Sequence, residues 1–392
     1  MVGVARHLGA GGYRVIDRFT FDSRDLRVAL VHDTLLQWGG AERVLGVLHH
    51  LFPHAPVYTS LASRSIVTRL SVDTDLRTSR LQASPFARVR PLQALLLPSA
   101  MESLDLRGFD LVISSSSSAA HGVHVPDGVH VSYVYNTMRY AWQYDDYMQT
   151  YPLPRIVKQM GKPAAWALRN WDRRAAHRAG AIAAISKTVA GRIRERWLVE
   201  PECVIWPPAE LDQLTIGRGE REGYLVVSRL LPYKRVDAAV KAATERRLSL
   251  TVIGDGPDRP RLERLAGPTV RFLGNVGDDI KRCLLRSVIA VIVPGEEDYG
   301  LVPLEANACG TPVVGLNRGG VAETQIDGVT GILIPGGDVD AFADAMQAAA
   351  ISKWDRDLIS SLARARGRPA FEAALAAFLE RVMSRRSEIA NI

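Results

Sequence analysis

Short apolar runs rich in β-branched residues alternate with amphipathic stretches along the chain. In the second half the runs are GYLVVS (223–228), LSLTVIG (248–254), TVRFLG (269–274), VIAVIVP (288–294), TPVVGL (311–316) and GILI (331–334). Helical patterns such as VDAAVKAATERR and DAFADAMQAAA separate them. Strands that alternate with helices of this length predict a parallel, doubly wound sheet.

The first half repeats this pattern less regularly. Its predicted strands are LRVALVH (26–32), FDLVISS (109–115), VHVSYVY (129–135) and AGAIAAIS (179–186). Since 392 residues are many for one core, we expect two domains, with Pro207 and Pro208 at their junction. The predicted fold class is α/β, with two doubly wound, Rossmann-like parallel-sheet domains that face a cleft. Ligands of such folds bind at the carboxyl ends of the strands.

The stretch EEDYGLVPLE places two acids beside a helix start. The apolar run 288–293 predicts a strand, and Pro303 belongs in the first turn of the helix that follows. Glu297 then lies in the loop and Glu305 just inside the helix. Free N–H groups of the helix start lie between them, which suits a ligand with hydroxyls and phosphates. The alternative stays open: Glu305 complements the helix dipole and Glu297 is a solvated loop acid.

Two further loops carry candidate chemistry. WGGAER (38–43) follows the first strand, and Gly39 and Gly40 let backbone approach a ligand closely. It is not GxGxxG, which counts against a dinucleotide-binding domain. In SRLLPYKRVD (228–237), Arg229 and Lys234 lie five residues apart across a proline-containing turn and could clamp two phosphates.

Composition places the chain among ordinary globular proteins. Hydrophobic residues make up 47% and charged residues 23%, and no apolar run reaches the ~18 residues of a spanning helix. The first 25 residues lack the apolar core of a signal peptide, so we expect a cytoplasmic protein. Cys203, Cys283 and Cys309 show no ligand-like spacing, and we expect them to be small buried side chains.

The net charge of +7 is concentrated in two segments of the first half. Six arginines lie in 64–90 against two acids, and seven Lys or Arg residues lie in 155–178 against the single acid Asp172. The second segment also contains Trp166 and Trp171. Basic charge beside apolar side chains is typical of a peripheral contact with an anionic membrane surface, here the inner face of the plasma membrane. A solvated helix face beside a core stripe explains either segment equally well, and no motif supports a nucleic-acid partner.

Taken in order, GGAERV, SRLLPYKRVD, GDGP, and the E-x7-E of EDYGLVPLE followed by ACGTPVV resemble a retaining glycosyltransferase of glycosyltransferase family 4, whose fold is GT-B. The resemblance covers roughly 26–380. It implies a metal-independent enzyme with a nucleotide-sugar co-substrate and no other cofactor. The catalytic residues that it implies are Arg229, Lys234 and Glu297. The donor-binding residues that it implies are Gly39, Gly40, Gly300, Leu301, Val302 and Glu305.

The resemblance also implies particular roles and domains. Arg229 and Lys234 would hold the diphosphate, Glu305 the ribose and Glu297 the sugar hydroxyls. The implied domains are an N-terminal extension (1–25), an acceptor-binding domain (26–206), a nucleotide-sugar-binding domain (207–370) and a C-terminal helix crossing back to the first domain (371–392). The apolar spacing in FEAALAAFLERVMSRRS suits that packing.

A narrower resemblance concerns the acceptor half. The stretch that begins RTSRLQASPFARVRPLQALLLP and the later SYVYNTMRYAWQYDDYM are similar to a subgroup that includes mannosyltransferases acting on polyprenyl-diphosphate-linked glycans. This implies GDP-mannose as donor and a lipid-linked glycan as acceptor. The candidates for contact with sugar or acceptor are Tyr135, His121, His124 and Arg139. The chain departs from the subgroup's His-Thr-Pro, since it has Tyr135, Asn136 and Thr137 before Met-Arg-Tyr-Ala-Trp.

Two other functions remain open on the sequence. One is a nucleotide-sugar epimerase of the same fold. The other is a nucleotide-sugar-binding subunit without turnover, which the tyrosine in place of histidine favours.

Overall fold

Two parallel β-sheets, one in each half of the chain, form the framework of the protein. The structure is a computed structural model that describes residues 26–70, 75–149, 151 and 154–390. The predicted extension, 1–25, lies outside the described residues.

The first half forms a sheet of seven strands with order β3-β2-β1-β4-β5-β6-β7. Its strands are β1 Val28–His32, β2 Val57–Thr59, β3 Leu76–Thr78, β4 Leu111–Ser116, β5 Val129–Val134, β6 Ala181–Ala184 and β7 Cys203–Val204. Its helices are α1 Gly40–Leu51, α2 Arg64–Leu70, α3 Arg90–Glu102, α4 Arg139–Trp142, α5 Tyr144–Gln149, α6 Arg155–Met160, α7 Lys162–Ala176 and α8 Lys187–Trp197.

The second half forms a sheet of six strands with order β10-β9-β8-β11-β12-β13. Its strands are β8 Tyr224–Val227, β9 Leu250–Ile253, β10 Val270–Gly274, β11 Ala290–Val293, β12 Val313–Leu316 and β13 Gly331–Ile334. Its helices are α9 Val236–Glu245, α10 Arg259–Leu265, α11 Asp278–Ser287, α12 Leu301–Ala308, α13 Gly319–Thr324, α14 Val339–Ile351, α15 Arg356–Arg364 and α16 Arg368–Ala390.

Every strand pairing described in the two sheets is parallel, which confirms the predicted fold class. All ten predicted strands are present. The sequence analysis missed β2, β3 and β7, because two or three residues are too few to show a periodicity. The central strands β1 and β11 are buried at every position, since helices cover both faces of a parallel sheet.

Two adjacent segments of the chain connect the halves. The chain passes from the first sheet to the second near 205–209 and approaches the first again before α16, where Ala209 and Gly367 form a parallel bridge. The Arg366 guanidinium stacks on the Trp206 ring, 4.1 Å from the ring centroid. The two crossing segments therefore contact each other directly.

Helix α16 lies against the first half although it follows the second in sequence. The Phe371 ring meets the Tyr133 ring edge-on, with 5.7 Å between centroids. Near the other end of the helix, Arg385 pairs with Glu202, and Arg386 donates to the backbone oxygens of Asp110 and Asp127. Its contacts thus extend over most of its length.

Two smaller findings concern the sequence expectations. Among the described residues, no helix combines the length and the apolar character needed to cross a bilayer. Cys309 is buried and Cys203 partly buried, but Cys283 is exposed, so the expectation of a buried side chain was wrong there. Cys283 lies on the solvent side of α11, whereas Leu285 of the same helix is buried.

We expect Phe371→Ala to lower the free energy of unfolding by about 3–5 kcal/mol, because it removes a buried ring from the contact between α16 and the first sheet. Thermal unfolding measures the change. Ile351→Ala is the control: Ile351 is 86% exposed, and its loss should change stability by no more than about 0.5 kcal/mol. Equal effects of the two substitutions would show that α16 is not packed in this way.

Candidate functional site

The loops that carry the predicted site residues all leave the carboxyl ends of strands. Those after β1, β5 and β6 face those after β8, β11 and β12 across the contact between the halves. Gly40 and Leu301 show how close the two sides come: a Cβ on Gly40 would lie 3.0 Å from a methyl group of Leu301. A larger residue at Gly40 would push the sides apart.

Lys234 and Glu297 form an ion pair at this edge, with 2.6 Å between Nζ and Oε2. Lys234 ends a short 3-10 turn after β8, and Glu297 lies in the loop after β11. The two loops also pack by their backbones, since a Cβ on Gly295 would lie 2.6 Å from the Lys234 carbonyl oxygen. The structure thus brings together two of the three predicted catalytic residues.

Arg229 lies nearby but is exposed, and its guanidinium donates to the Tyr233 hydroxyl at 3.2 Å. No carboxylate pairs with it in the described part of the chain. A residue of the first half also contacts Tyr233: the Arg139 guanidinium stacks on its ring, 4.9 Å from the ring centroid. Of the two predicted phosphate-binding cations, Arg229 is therefore the more accessible and Lys234 the more constrained.

Helix α12 begins beside this pair. Gly300 precedes the helix with φ 101° and ψ 70°, a left-handed conformation that suits glycine. The backbone N–H groups of Leu301 and Val302 belong to the first turn and have no partners within the helix. The predicted helix start is confirmed, and the arrangement leaves N–H donors at the cleft.

Glu305 is buried in the first turns of α12 and is held by two cations. Lys281 of α11 pairs with one carboxylate oxygen, and Arg43 of α1 lies 3.6 Å from the other. Arg43 also lies 3.5 Å from Glu210. A buried carboxylate needs such partners to offset its lost hydration. Since Arg43 belongs to the first half, Glu305 connects the two halves, a contact that the sequence analysis did not foresee.

Asp298, next to Glu297, was missed by the sequence analysis, and its contacts join the two halves. Its carboxylate accepts hydrogen bonds from Asn136 at 3.1 Å, from Arg139 at 2.6 Å and from Arg192 at 2.5 Å. Its backbone oxygen accepts one from the Ser186 hydroxyl at 2.6 Å. Burial alone would raise the pKa of Asp298, but the neighbouring Arg139 and Arg192 outweigh it and lower that pKa.

A second carboxylate of the second half binds the start of α8. Glu323 of α13 accepts hydrogen bonds from the backbone N–H of Lys187 at 2.8 Å and of Thr188 at 2.7 Å, and from the Thr188 hydroxyl. A carboxylate at a helix N-terminus satisfies unpaired N–H groups and complements the helix dipole. Asp298 and Glu323 together fix α8 against the second half.

The other candidates for sugar contact lie away from these residues or below the surface. Tyr135 is buried, burial raises the pKa of its hydroxyl, and that hydroxyl shares a 2.9 Å hydrogen bond with Ser115. His121 is fully buried and stacks on Trp197, with 4.5 Å between ring centroids. Its side chain is enclosed by Ser116, Asp172 and Trp171 as well, and contact of His121 with a sugar stays a prediction. His124 is exposed, beside Glu102.

Residues 216–364 match the model of the family "Glycosyl transferases group 1". Among curated proteins, D-inositol 3-phosphate glycosyltransferase of Kribbella flavida is 38% identical over 171 residues, which span 37% of this chain and 40% of that protein. The GDP-mannose-dependent alpha-(1-6)-phosphatidylinositol monomannoside mannosyltransferase of Mycolicibacterium smegmatis is 32% identical over 148 residues, or 33% of this chain and 39% of that protein. The chain thus spans well under half the length of these two relatives.

Solved structures resemble the chain over most of its length. Sucrose-phosphate synthase of Thermosynechococcus elongatus superposes with a TM-score of 0.65 at 16% identity, covering 92% of this chain and 100% of that one. HepE of Anabaena in complex with UDP-glucose superposes with a TM-score of 0.60 at 18% identity, covering 93% and 98%. These likenesses and the two parallel sheets establish the GT-B fold.

We expect Gly320→Ala to destabilise the loop that carries Glu297 and Asp298. Gly320 donates its N–H to the Glu297 carbonyl at 2.7 Å, and a Cβ there would lie 2.2 Å from the Tyr299 Cα. The clash should cost about 1–3 kcal/mol of stability, measured by thermal unfolding.

Gly191→Ala is the matched control for that substitution. Gly191 lies within α8, where a Cβ meets nothing within 4 Å, so alanine should raise stability by about 0.5–1 kcal/mol. A neutral Gly320→Ala would mean that this loop is not braced by α13.

Proposed function

We propose that this chain is a retaining glycosyltransferase that moves a hexose, mannose from GDP-mannose, to a lipid-linked glycan acceptor on polyprenyl diphosphate. Such a reaction serves the synthesis of cell-surface polysaccharide or glycolipid. The observation that carries the proposal is the convergence of Lys234, Arg229, Glu297 and the α12 N-terminus at one edge of the second sheet. Cations, N–H donors and carboxylates at that spacing match the parts of a nucleotide-sugar.

In this proposal the donor diphosphate lies between Arg229, Lys234 and the first turn of α12. The exposed Arg229 is available to pair with a phosphate, and the N–H groups of Leu301 and Val302 add donors without a change of protonation. Gly39 and Gly40 approach α12 from the first half without side chains, which leaves their backbone free to border the phosphates. Glu305 binds the ribose hydroxyls if Arg43 or Lys281 moves away from its carboxylate.

The transfer itself needs charge stabilisation more than an acid or a base. In a front-face reaction the bond from the anomeric carbon to the phosphate oxygen breaks through an oxocarbenium-like state. The acceptor oxygen bonds to that carbon from the same face, and the departing phosphate takes the proton of the acceptor hydroxyl. Lys234 and Arg229 neutralise the charge that grows on that phosphate. Glu297, held by Lys234 at 2.6 Å, would accept a hydrogen bond from a sugar hydroxyl. Retention and independence of a metal belong to the proposal and rest on the sequence resemblance.

The comparisons support the proposal unevenly. The family match falls on residues 216–364, which include Arg229, Lys234, Glu297 and Glu305. A UDP-glucose complex of a structural neighbour supports a nucleotide-sugar donor, and a GDP-mannose-dependent relative supports mannose. The acceptor rests on the sequence resemblance of the first half.

A lipid-linked acceptor requires the protein to reach a membrane, and α6 and α7 offer a suitable surface on the cytoplasmic side. Ile156 and Met160 are each 74% exposed and Trp166 is 66% exposed. The basic residues Lys158 and Lys162 lie between them in sequence, and Arg155 directly precedes Ile156. We propose that these helices rest on the anionic membrane, with the apolar side chains among the headgroups.

We expect GDP-mannose to raise the melting temperature of the purified protein more than other GDP- and UDP-sugars. At a hundred times its dissociation constant, a ligand adds about 2.7 kcal/mol of stability. Arg229→Ala should remove most of the shift, whereas Arg246→Ala should keep it, because Arg246 pairs with the surface acids Asp340 and Asp344 of α14.

Lys234→Ala should lower donor turnover by two or more orders of magnitude, since the loss of one charge-stabilising donor costs about 2.7–4 kcal/mol. Release of GDP or UDP without acceptor is the measurement. Slow release by the wild type supports a transferase, an interconverted sugar identifies an epimerase, and binding without either product identifies a binding subunit.

We expect the protein to sediment with vesicles that contain phosphatidylglycerol and to leave them as salt rises, because exposed charges are screened. The triple variant Ile156→Ser, Met160→Ser and Trp166→Ser should bind much less. Ile351→Ser is the control, since Ile351 is 86% exposed on α14. Equal binding by both variants would place the membrane contact elsewhere.

A further inference from the structure

Arg139 is a candidate for sugar contact from the sequence, but the structure gives its guanidinium a different partner. One nitrogen donates to Asp298 at 2.6 Å, and its face covers the Tyr233 ring. Arg139 begins α4, in the first half, and both partners belong to the second half. Its charge is therefore already used in a contact between the halves.

We infer that Asp298 is a positioning residue, which holds the acceptor-side segment 136–139 and helix α8 in register with the donor-side loop 296–300. The inference rests on the proposed function for its consequence in catalysis, but the positioning itself does not depend on which sugar is transferred. In this role Asp298 acts through Arg139, Asn136 and Arg192, and touches no substrate.

The number and origin of the hydrogen bonds carry the inference. Three side chains donate to one carboxylate, Asn136 and Arg139 from the segment after β5, and Arg192 from α8. Arg192 also pairs with Glu296 at 2.6 Å, two residues earlier in the same loop. The Ser186 hydroxyl adds a bond to the Asp298 backbone. One loop of the second half thus binds two elements of the first.

The chemistry favours a carboxylate at this position. Arg139 and Arg192 are two cations in a largely buried space, and without Asp298 they would repel each other and lack a shared partner. A carboxylate has enough lone pairs for all three donors, whereas the amide of asparagine offers one accepting oxygen and turns donors toward the arginines. Asparagine at 298 keeps the shape of the side chain and removes the function.

The contact also reaches the donor side. Tyr233, which Arg139 covers, accepts a hydrogen bond from Arg229, and its neighbour Lys234 pairs with Glu297. Asp298 therefore lies between the segment that would meet the acceptor and the cations that would hold the donor. A shift of 136–139 would change the distance between acceptor and donor, while the pair of Lys234 and Glu297, both in the second half, stays in place.

The test is Asp298→Asn, followed by hydrogen exchange of the full chain. We expect faster exchange in peptides that cover 136–142 and 187–197, and no change in the strands of the second sheet. The melting-temperature shift given by GDP-mannose should stay within experimental error, whereas the rate of transfer should fall at least tenfold, as a loss of kcat with little change of the donor KM.

Asp258→Asn is the matched control. Asp258 is a buried aspartate whose carboxylate also pairs with a guanidinium, that of Arg261, but both residues lie in the second half. This variant should leave exchange in the first half unaltered. If Asp298→Asn does not fold, Arg139→Lys provides the second test, since lysine keeps the charge and loses the stacked contact.

The outcomes separate this inference from the proposed function. Unchanged exchange in 136–142, or an equal loss of protection throughout both sheets, would overturn the positioning role. If no nucleotide-sugar shifts the melting temperature of the wild type but the exchange pattern appears as expected, the proposed donor fails and the positioning role of Asp298 stands.

Discussion

The arrangement of the molecule depends on the parallel direction of its strands. A parallel strand must be followed by a crossover that returns the chain to the same starting edge, so every loop after a strand lies at one edge of the sheet. The protein has two such sheets, and their carboxyl edges face each other. For this reason the glycines after β1, the cations after β8 and the acids after β11 lie close together, although they are far apart in sequence.

The cleft is rich in charge, and its acids are paired with cations from separate elements. Glu297, Asp298 and Glu305 lie within nine residues of one another in sequence. Their partners come from the turn after β8, from α4 and α8, and from α1 and α11. Buried charges tolerate little misplacement, because an unpaired partner loses both its hydration and its attraction. This set of pairs therefore defines the position of the loop and of α12 more strictly than apolar packing would.

The sequence predicted what is local and repeated. Long β-branched runs gave ten strands, and Pro303 located the start of α12, because both effects act within a few residues. The sequence could not indicate that Asp298 contacts Arg139, since 159 residues separate them. The residues around each of them look the same in sequence as those around a solvated charged side chain. His121 shows the same limit: a histidine after a strand looks alike in sequence whether the chain turns toward the cleft or toward Trp197.

The paired crossing between the halves has a mechanical consequence. Two domains joined by one connecting segment can bend and twist about it. Here two adjacent segments, at 205–209 and at 367, connect the halves. The stack of Arg366 on Trp206 and the bridge from Ala209 to Gly367 hold these two segments together. Two adjacent connections restrict torsion between the sheets more than one connection would.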